Sequence, residues 1–159
     1  MGECRDRSVV HPASLTFAGF VGGRVYAAAV TTLTFVDETT GGGRAGQWRM
    51  EVAEERVTLR ELIRRRIYQE VVEFNASGTA VFCGLVQPSP AERTPNGYRL
   101  RPGRPIDPDE QFTRAVEAFG RNGFVVLAHD HQVLSLDEEI DLAGDAELTF
   151  LKLVPLVGG

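Results

Sequence analysis

The sequence predicts an α+β domain: a mixed sheet packed on one main helix, with a helix-containing insertion before the third strand. Three observations carry this. Two β-rich runs, TTLTFVD from Thr31 to Asp37 and QWRMEV from Gln47 to Val52, flank a glycine-rich stretch from Glu38 to Gly43. An apolar stripe at helical spacing comes next. The last third then runs through short apolar strands separated by polar turns.

Each element has its own signal. In the second run Trp48, Met50 and Val52 share one face, so the two runs predict a β-hairpin. Thr58 and Glu61 form a Thr-x-x-Glu capping box. Leu59, Leu62, Ile63, Ile67, Val71 and Phe74 then fall three and four apart, which predicts a helix ending near Asn75. The basic run Arg64-Arg65-Arg66 inside it reads as a solvated face. Residues 76–122 form an insertion, with a short strand expected over Thr79–Val86 and several prolines after it. Its helix is marked by Asp107 as N-cap, Pro108 in first position and Glu110 in third. Phe112, Ala115, Val116 and Phe119 make the apolar face, and Gly120 or Gly123 stops it.

In the last third, Phe124–Ala128 (FVVLA) is a buried strand and His129-Asp130-His131 a turn. Gln132–Leu134 is a short strand, Ser135–Ile140 a single helical turn capped by Ser135, and Glu147–Val154 the final strand. Leu148 and Phe150 share one of its faces. The chain then leaves as Pro155-Leu156-Val157-Gly158-Gly159. A hairpin cannot bury a full helical stripe by itself. Placing the final strand beside the first closes the core and gives a β-grasp arrangement over residues 31–159. Residues 1–30 read as a flexible N-terminal extension. Its segment from Ser14 to Thr32 is like a secretory leader only weakly, because Arg24 interrupts it.

Composition bounds the function. Of 159 residues 43% are apolar and 25% charged, ordinary for a globular chain, and the net charge of −5 comes without a basic stripe. Nucleic acid is therefore not an expected partner. No apolar run is long enough to span a membrane. The two cysteines, Cys4 and Cys83, have no metal-ligand spacing, so reduced thiols in a cytoplasmic compartment are expected. Lys152 is the one lysine, against sixteen arginines.

Catalytic and metal readings are weaker than bland ones. His129 and His131 could share a strand face and bind zinc, but a structural site wants four ligands and His11 is the only other histidine. Cys83 in VFCGLV has no histidine partner by spacing and reads as a buried structural cysteine. Asp107, Asp109 and Glu110 are explained by helix capping, and Glu138 and Glu139 by an exposed turn. Gly41–Gly43 lacks the Gly-Lys-Ser/Thr of a phosphate loop. No catalytic or metal residue is assigned.

Residues 31–75 and 123–159 resemble ubiquitin and its β-grasp relatives, including bacterial ubiquitin-like modifiers and sulfur carriers. VVLAHDHQV, SLDEEI and ELTFLKLVPLVGG match the order of ubiquitin's third strand, short strand, helical turn and last strand. The terminal Gly158-Gly159 is shared with ubiquitin, the molybdopterin-synthase small subunit and the thiamin sulfur carrier. The resemblance implies a carrier rather than an enzyme. Its Gly159 carboxylate would be adenylated by a partner activating enzyme and passed to an acceptor protein, or converted to a thiocarboxylate as in a sulfur carrier. A non-conjugated adaptor module is the further alternative. No cofactor would be bound by the chain itself, since ATP and magnesium belong to the partner. A conjugating enzyme and a JAB-type deconjugating protease are the other implied partners.

Two glycines suit this use because a narrow channel excludes side chains and an unhindered carbonyl invites attack. By position, Pro155, Leu156 and Val157 would contact the activating enzyme, and Val126, Leu151 and Leu153 would form a recognition patch. Pro155 and Val157 replace the arginines of ubiquitin's tail, and one lysine leaves little for chain building.

Overall fold

The structure, a computed structural model, describes residues 30–144 and 146–153, together with the paired backbone of β1 (Phe20–Val21) and β2 (Arg24–Val25). The expected N-terminal extension lies almost wholly outside the described residues, as do Val154 and the tail from Pro155 to Gly159.

β3 (Thr31–Thr39) and β4 (Arg44–Val52) form the expected hairpin, each longer than its apolar core. Polar Glu38, Thr39 and Arg44 join the ladder, and the turn shrinks to residues 40–43. Gly42 takes φ +83°, a left-handed value that glycine adopts without a Cβ penalty, and its N–H donates to Thr39 O at 2.9 Å.

β5 (Arg56–Thr58) leads into α1 (Leu59–Ser77). Thr58 Oγ1 accepts from Glu61 N at 3.3 Å, as the capping pattern requires. Glu61 turns its carboxylate to Arg65 Nε at 2.9 Å. The N–H groups of Leu59 and Arg60 donate to Glu138 O and Leu136 O at 3.0 and 2.8 Å, so a distant turn completes the cap. The helix runs two residues past Asn75, to Gly78 at φ +66°. Asn75 does not end it because its side chain is engaged elsewhere: Nδ2 donates to Ile106 O and Oδ1 accepts from Ile106 N.

The insertion carries β6 (Val81–Phe82), β7 (Glu92–Thr94) and β8 (Gly97–Arg99), in the order β6-β8-β7, and then α2 (Pro108–Gly120). The strand expected over residues 79–86 is only two residues long. From Cys83 onward the chain bends toward α1, where Leu85 N donates to Glu70 Oε2 instead of to a ladder. α2 obeys its caps: Asp107 Oδ1 accepts from Asp109 N at 2.8 Å and Glu110 N at 3.0 Å. Ala115 is fully buried, as is Gln111, whose Nε2 donates to Val86 O at 2.7 Å. Asn122 at φ +56° and Gly123, whose N–H donates to Ala118 O, close the helix.

β9 (Phe124–Ala128) and β10 (His131–Val133) form a hairpin across His129 and Asp130, both at positive φ. Residues 135–140 are not the expected helical turn. Ser135 does anchor a turn, its Oγ accepting from Asp137 N at 3.2 Å, but the chain then extends as β11 (Glu139–Asp141) and pairs with β5. The acidic residues look helical locally; a partner more than eighty positions away decides otherwise.

β12 (Ala146–Lys152) completes a five-stranded mixed sheet of order β10-β9-β12-β3-β4. It lies parallel to β3 and antiparallel to β9, with every other adjacent pair antiparallel. The inner face presents Leu33, Phe35, Phe124, Val126, Ala128, Leu148 and Phe150 to the α1 stripe, whose six expected residues are all buried. Phe35 stacks on Trp48 with centroids 4.2 Å apart. Among the described residues no helix is long and apolar enough to cross a membrane.

Candidate functional site

The site that the sequence singles out is the end of β12 and the tail beyond it. Gly158, Gly159, Pro155, Leu156 and Val157 lie outside the described residues; the strand that leads to them does not. β12 sits between β3 and β9. Its last residue, Lys152, pairs with Thr39 on one side and Phe124 on the other. Thr40 N donates to Lys152 O at 3.3 Å.

Beneath this exit lies a buried ionic cluster that the sequence pattern did not reveal. Arg66 is fully buried, contrary to the expectation that Arg64-Arg65-Arg66 is one solvated face. Its Nη1 and Nη2 donate to Asp37 Oδ1 and Oδ2 at 2.7 and 2.8 Å, and its Nε donates to Glu70 Oε1 at 2.9 Å. The guanidinium also lies over the Phe150 ring, 4.4 Å from its centroid. Burial works against the Arg66 charge; the Asp37 and Glu70 carboxylates more than offset it and raise its pKa. Only Arg64, of the three arginines, stays at the surface, where it stacks on the Tyr68 ring.

A signal was present. Arg66 and Glu70 stand three positions after Ile63 and Ile67, in the two open places of the apolar stripe. An oppositely charged pair four apart, both members on the inner face, implies burial with a third partner. Asp37, the last inward position of the β3 apolar run, is that partner.

Glu70 carries the cluster into the insertion, its Oε2 accepting from Leu85 N at 3.0 Å. The preceding residue is Gly84, where a Cβ would stand 2.2 Å from the Phe82 ring and 2.7 Å from Glu70 Oε2. Only glycine permits that approach. Gly84 O in turn accepts from Lys152 Nζ at 2.9 Å. Burial lowers the Lys152 pKa; Asp37 and Glu70 pull it back up, and Arg66 adds to the lowering.

The expected recognition patch does not assemble. Val126 is fully buried on the helix side. Side chains alternate along a strand, so placement one residue out of phase moves a residue to the opposite face. Leu151 is half-buried and Leu153 is 40% exposed. A surface patch here draws on those two, joined in the ladder by Val125 opposite Leu151.

The rival sites resolve individually. Cys83 is half-buried rather than buried, and it is disulfide-bonded rather than a free thiol. The sequence holds one other cysteine, Cys4, outside the described residues. A bonded sulfur is no nucleophile. His129 Nε2 bonds to Asp141 O at 2.9 Å, and His131 Nε2 lies 3.3 Å from Glu138 Oε1, so the two rings serve separate turn contacts. Among the described residues no group of three or more His, Cys, Asp or Glu could hold a metal ion. A small cleft of about 110 Å³ lies between Leu100, Arg104, Ile106 and Gln111 in the insertion. Ser89, Asp107 and Glu110 also line it, and it is remote in the chain from the β12 exit.

No protein-family model, no curated protein and no solved structure matches this chain.

Proposed function

We propose that the chain is a ubiquitin-like β-grasp modifier or carrier, used through the carboxylate of Gly159. The observation that carries this reading is the strand order β10-β9-β12-β3-β4, with β12 parallel to β3 and one long helix across the inner face. In that arrangement β12 is central and held on both sides. Five residues separate Leu153 from Gly159. Fully extended, such a segment spans roughly 17–18 Å, enough to reach into a partner's channel.

The chemistry asks little of the chain. In a partner's active site the Gly159 carboxylate attacks the α-phosphorus of ATP and displaces pyrophosphate. A thiolate then attacks the acyl carbonyl and displaces AMP, giving a thioester that an acceptor amine can consume. A sulfide donor in place of the thiolate gives a thiocarboxylate, which is the sulfur-carrier form of the same reading. The glycines keep the carbonyl unhindered, and no side chain of this protein moves a proton.

The test is covalent. The full chain, tagged at its N-terminus, is expressed in its native cells beside a form lacking Gly159, and lysates are analysed by mass spectrometry. The reading expects an adenylate, a thiocarboxylate or an adduct through Gly159 that is absent from the shortened form. A chain recovered wholly unmodified, with the shortened form indistinguishable from it, points instead to the adaptor module.

A further inference from the structure

The contacts beneath the β12 exit close into a ring. Asp37 of β3 holds Arg66 of α1; Arg66 holds Glu70; Glu70 holds Leu85 N; and Gly84 O, one residue earlier, holds Lys152 of β12. Lys152 lies beside Thr39 in the β3 ladder, two residues from Asp37, where the ring began. Four elements from distant parts of the chain are thus joined at the last residue of the last strand.

The geometry points to Lys152 as a positioning residue, a latch that fastens the end of β12 to the insertion and whose half-buried amine is held back from reaction by its bond to Gly84 O. The sole lysine of the sequence projects inward, on the same side of β12 as Leu148 and Phe150, both fully buried. An ordinary surface lysine extends into water and holds no fixed partner. This one donates to a backbone carbonyl whose own position is dictated by Gly84 and Glu70. Losing the side-chain nitrogen would free Gly84 O and loosen both segments that it bridges.

The latch has two consequences. The insertion becomes part of the base that holds the end of β12, which gives residues 83–86 a role in fixing Lys152. And the one lysine of a second copy is half-buried and already bonded to Gly84 O, which disfavours it as an acceptor of Gly159. The second consequence rests on the proposed function; the latch does not.

Two measurements on the full chain test the latch without activating Gly159. Acetylation by an N-hydroxysuccinimide ester is tracked by mass spectrometry, with the chain's α-amine as internal reference. Lys152 should react at least roughly tenfold more slowly in the folded protein than in urea, because reaction must wait for local opening. Hydrogen exchange is then compared in wild type, Lys152→Met and Lys152→Arg. The methionine variant should speed exchange together at Leu85 and at Thr40, whose N–H donates to Lys152 O, while leaving the amides of α2 unchanged, and arginine, which can still donate to Gly84 O, should restore protection. Equal acetylation of Lys152 in folded and unfolded chain overturns the proposal. So does a Lys152→Met protein whose exchange at Leu85 and Thr40 is unaltered.

Discussion

Asp37 and Arg66 meet as a two-point ion pair, with N–O distances of 2.7 and 2.8 Å, although they lie 29 positions apart on a strand and a helix. The guanidinium is fully buried and Glu70 occupies its remaining edge. Its planar fork matches a carboxylate at two points, which the point charge of a lysine could not do.

Removing one partner should be costly. Asp37→Ala leaves Arg66 buried with one carboxylate in place of two, and should lower stability by about 3–5 kcal/mol in urea unfolding. Arg66→Met alone leaves two carboxylates without their shared cation and should cost a similar amount. The paired variant Asp37→Ala with Arg66→Met should cost less than the sum of the two. Strict additivity would show that the pair is not coupled.

Gly84→Ala should destabilise by roughly 1–3 kcal/mol, since its Cβ would overlap the Phe82 ring and Glu70 Oε2. Loss of protection at the Leu85 amide should accompany it. Gly120→Ala is the control, because a Cβ there meets nothing within 4 Å.

Sheet phase predicts a contrast between two positions of the expected patch. Val126→Asp puts an unpaired charge among Phe150, Phe124 and the helix, and should cost more than about 4 kcal/mol or unfold the chain. Leu153→Ser, at a 40% exposed position, should change stability by only about 0.5 kcal/mol. Thermal melts of the two variants check this directly.

Lys152 gives a pH dependence of definite sign. Burial lowers its folded pKa below the usual amine value of 10.5, so between those two pKa values the unfolded chain binds more protons than the folded one. Stability due to this group therefore rises with pH through that window. Wild type should gain on Lys152→Met as pH climbs from the lowered folded pKa toward 10.5, measured as the difference in urea midpoints. A difference that stays flat would mean that the ammonium is solvated.

Much of the fold is legible in the sequence because its signals are local. The alternation in Thr31–Asp37 and Gln47–Val52, the Thr58 and Asp107 caps and the α1 stripe each depend on neighbours within one or two turns of chain. The features that mislead share the opposite property. Ser135–Ile140 carries helix-like capping residues, but its extended form exists because Ile140 finds Val57 across a ladder. Val126 belongs to the core rather than to a surface patch, and alternation fixes only which residues of β9 share a face, not which face meets the helix. The basic run in α1 suggests a solvated face because charge is the stronger local signal. The two gaps in the stripe that Arg66 and Glu70 fill speak for burial, and only Asp37, arriving from β3, makes that burial stable.

By itself the sequence determined the α+β class, the hairpin and both helices, since periodicity and caps are properties of adjacent residues. The tertiary structure decided which face of each strand is inside, that β12 lies parallel to β3, and that the sole lysine turns inward to Gly84. Those outcomes depend on contacts between residues far apart in the chain, where desolvating a charge is tolerable only if its partners converge from other elements.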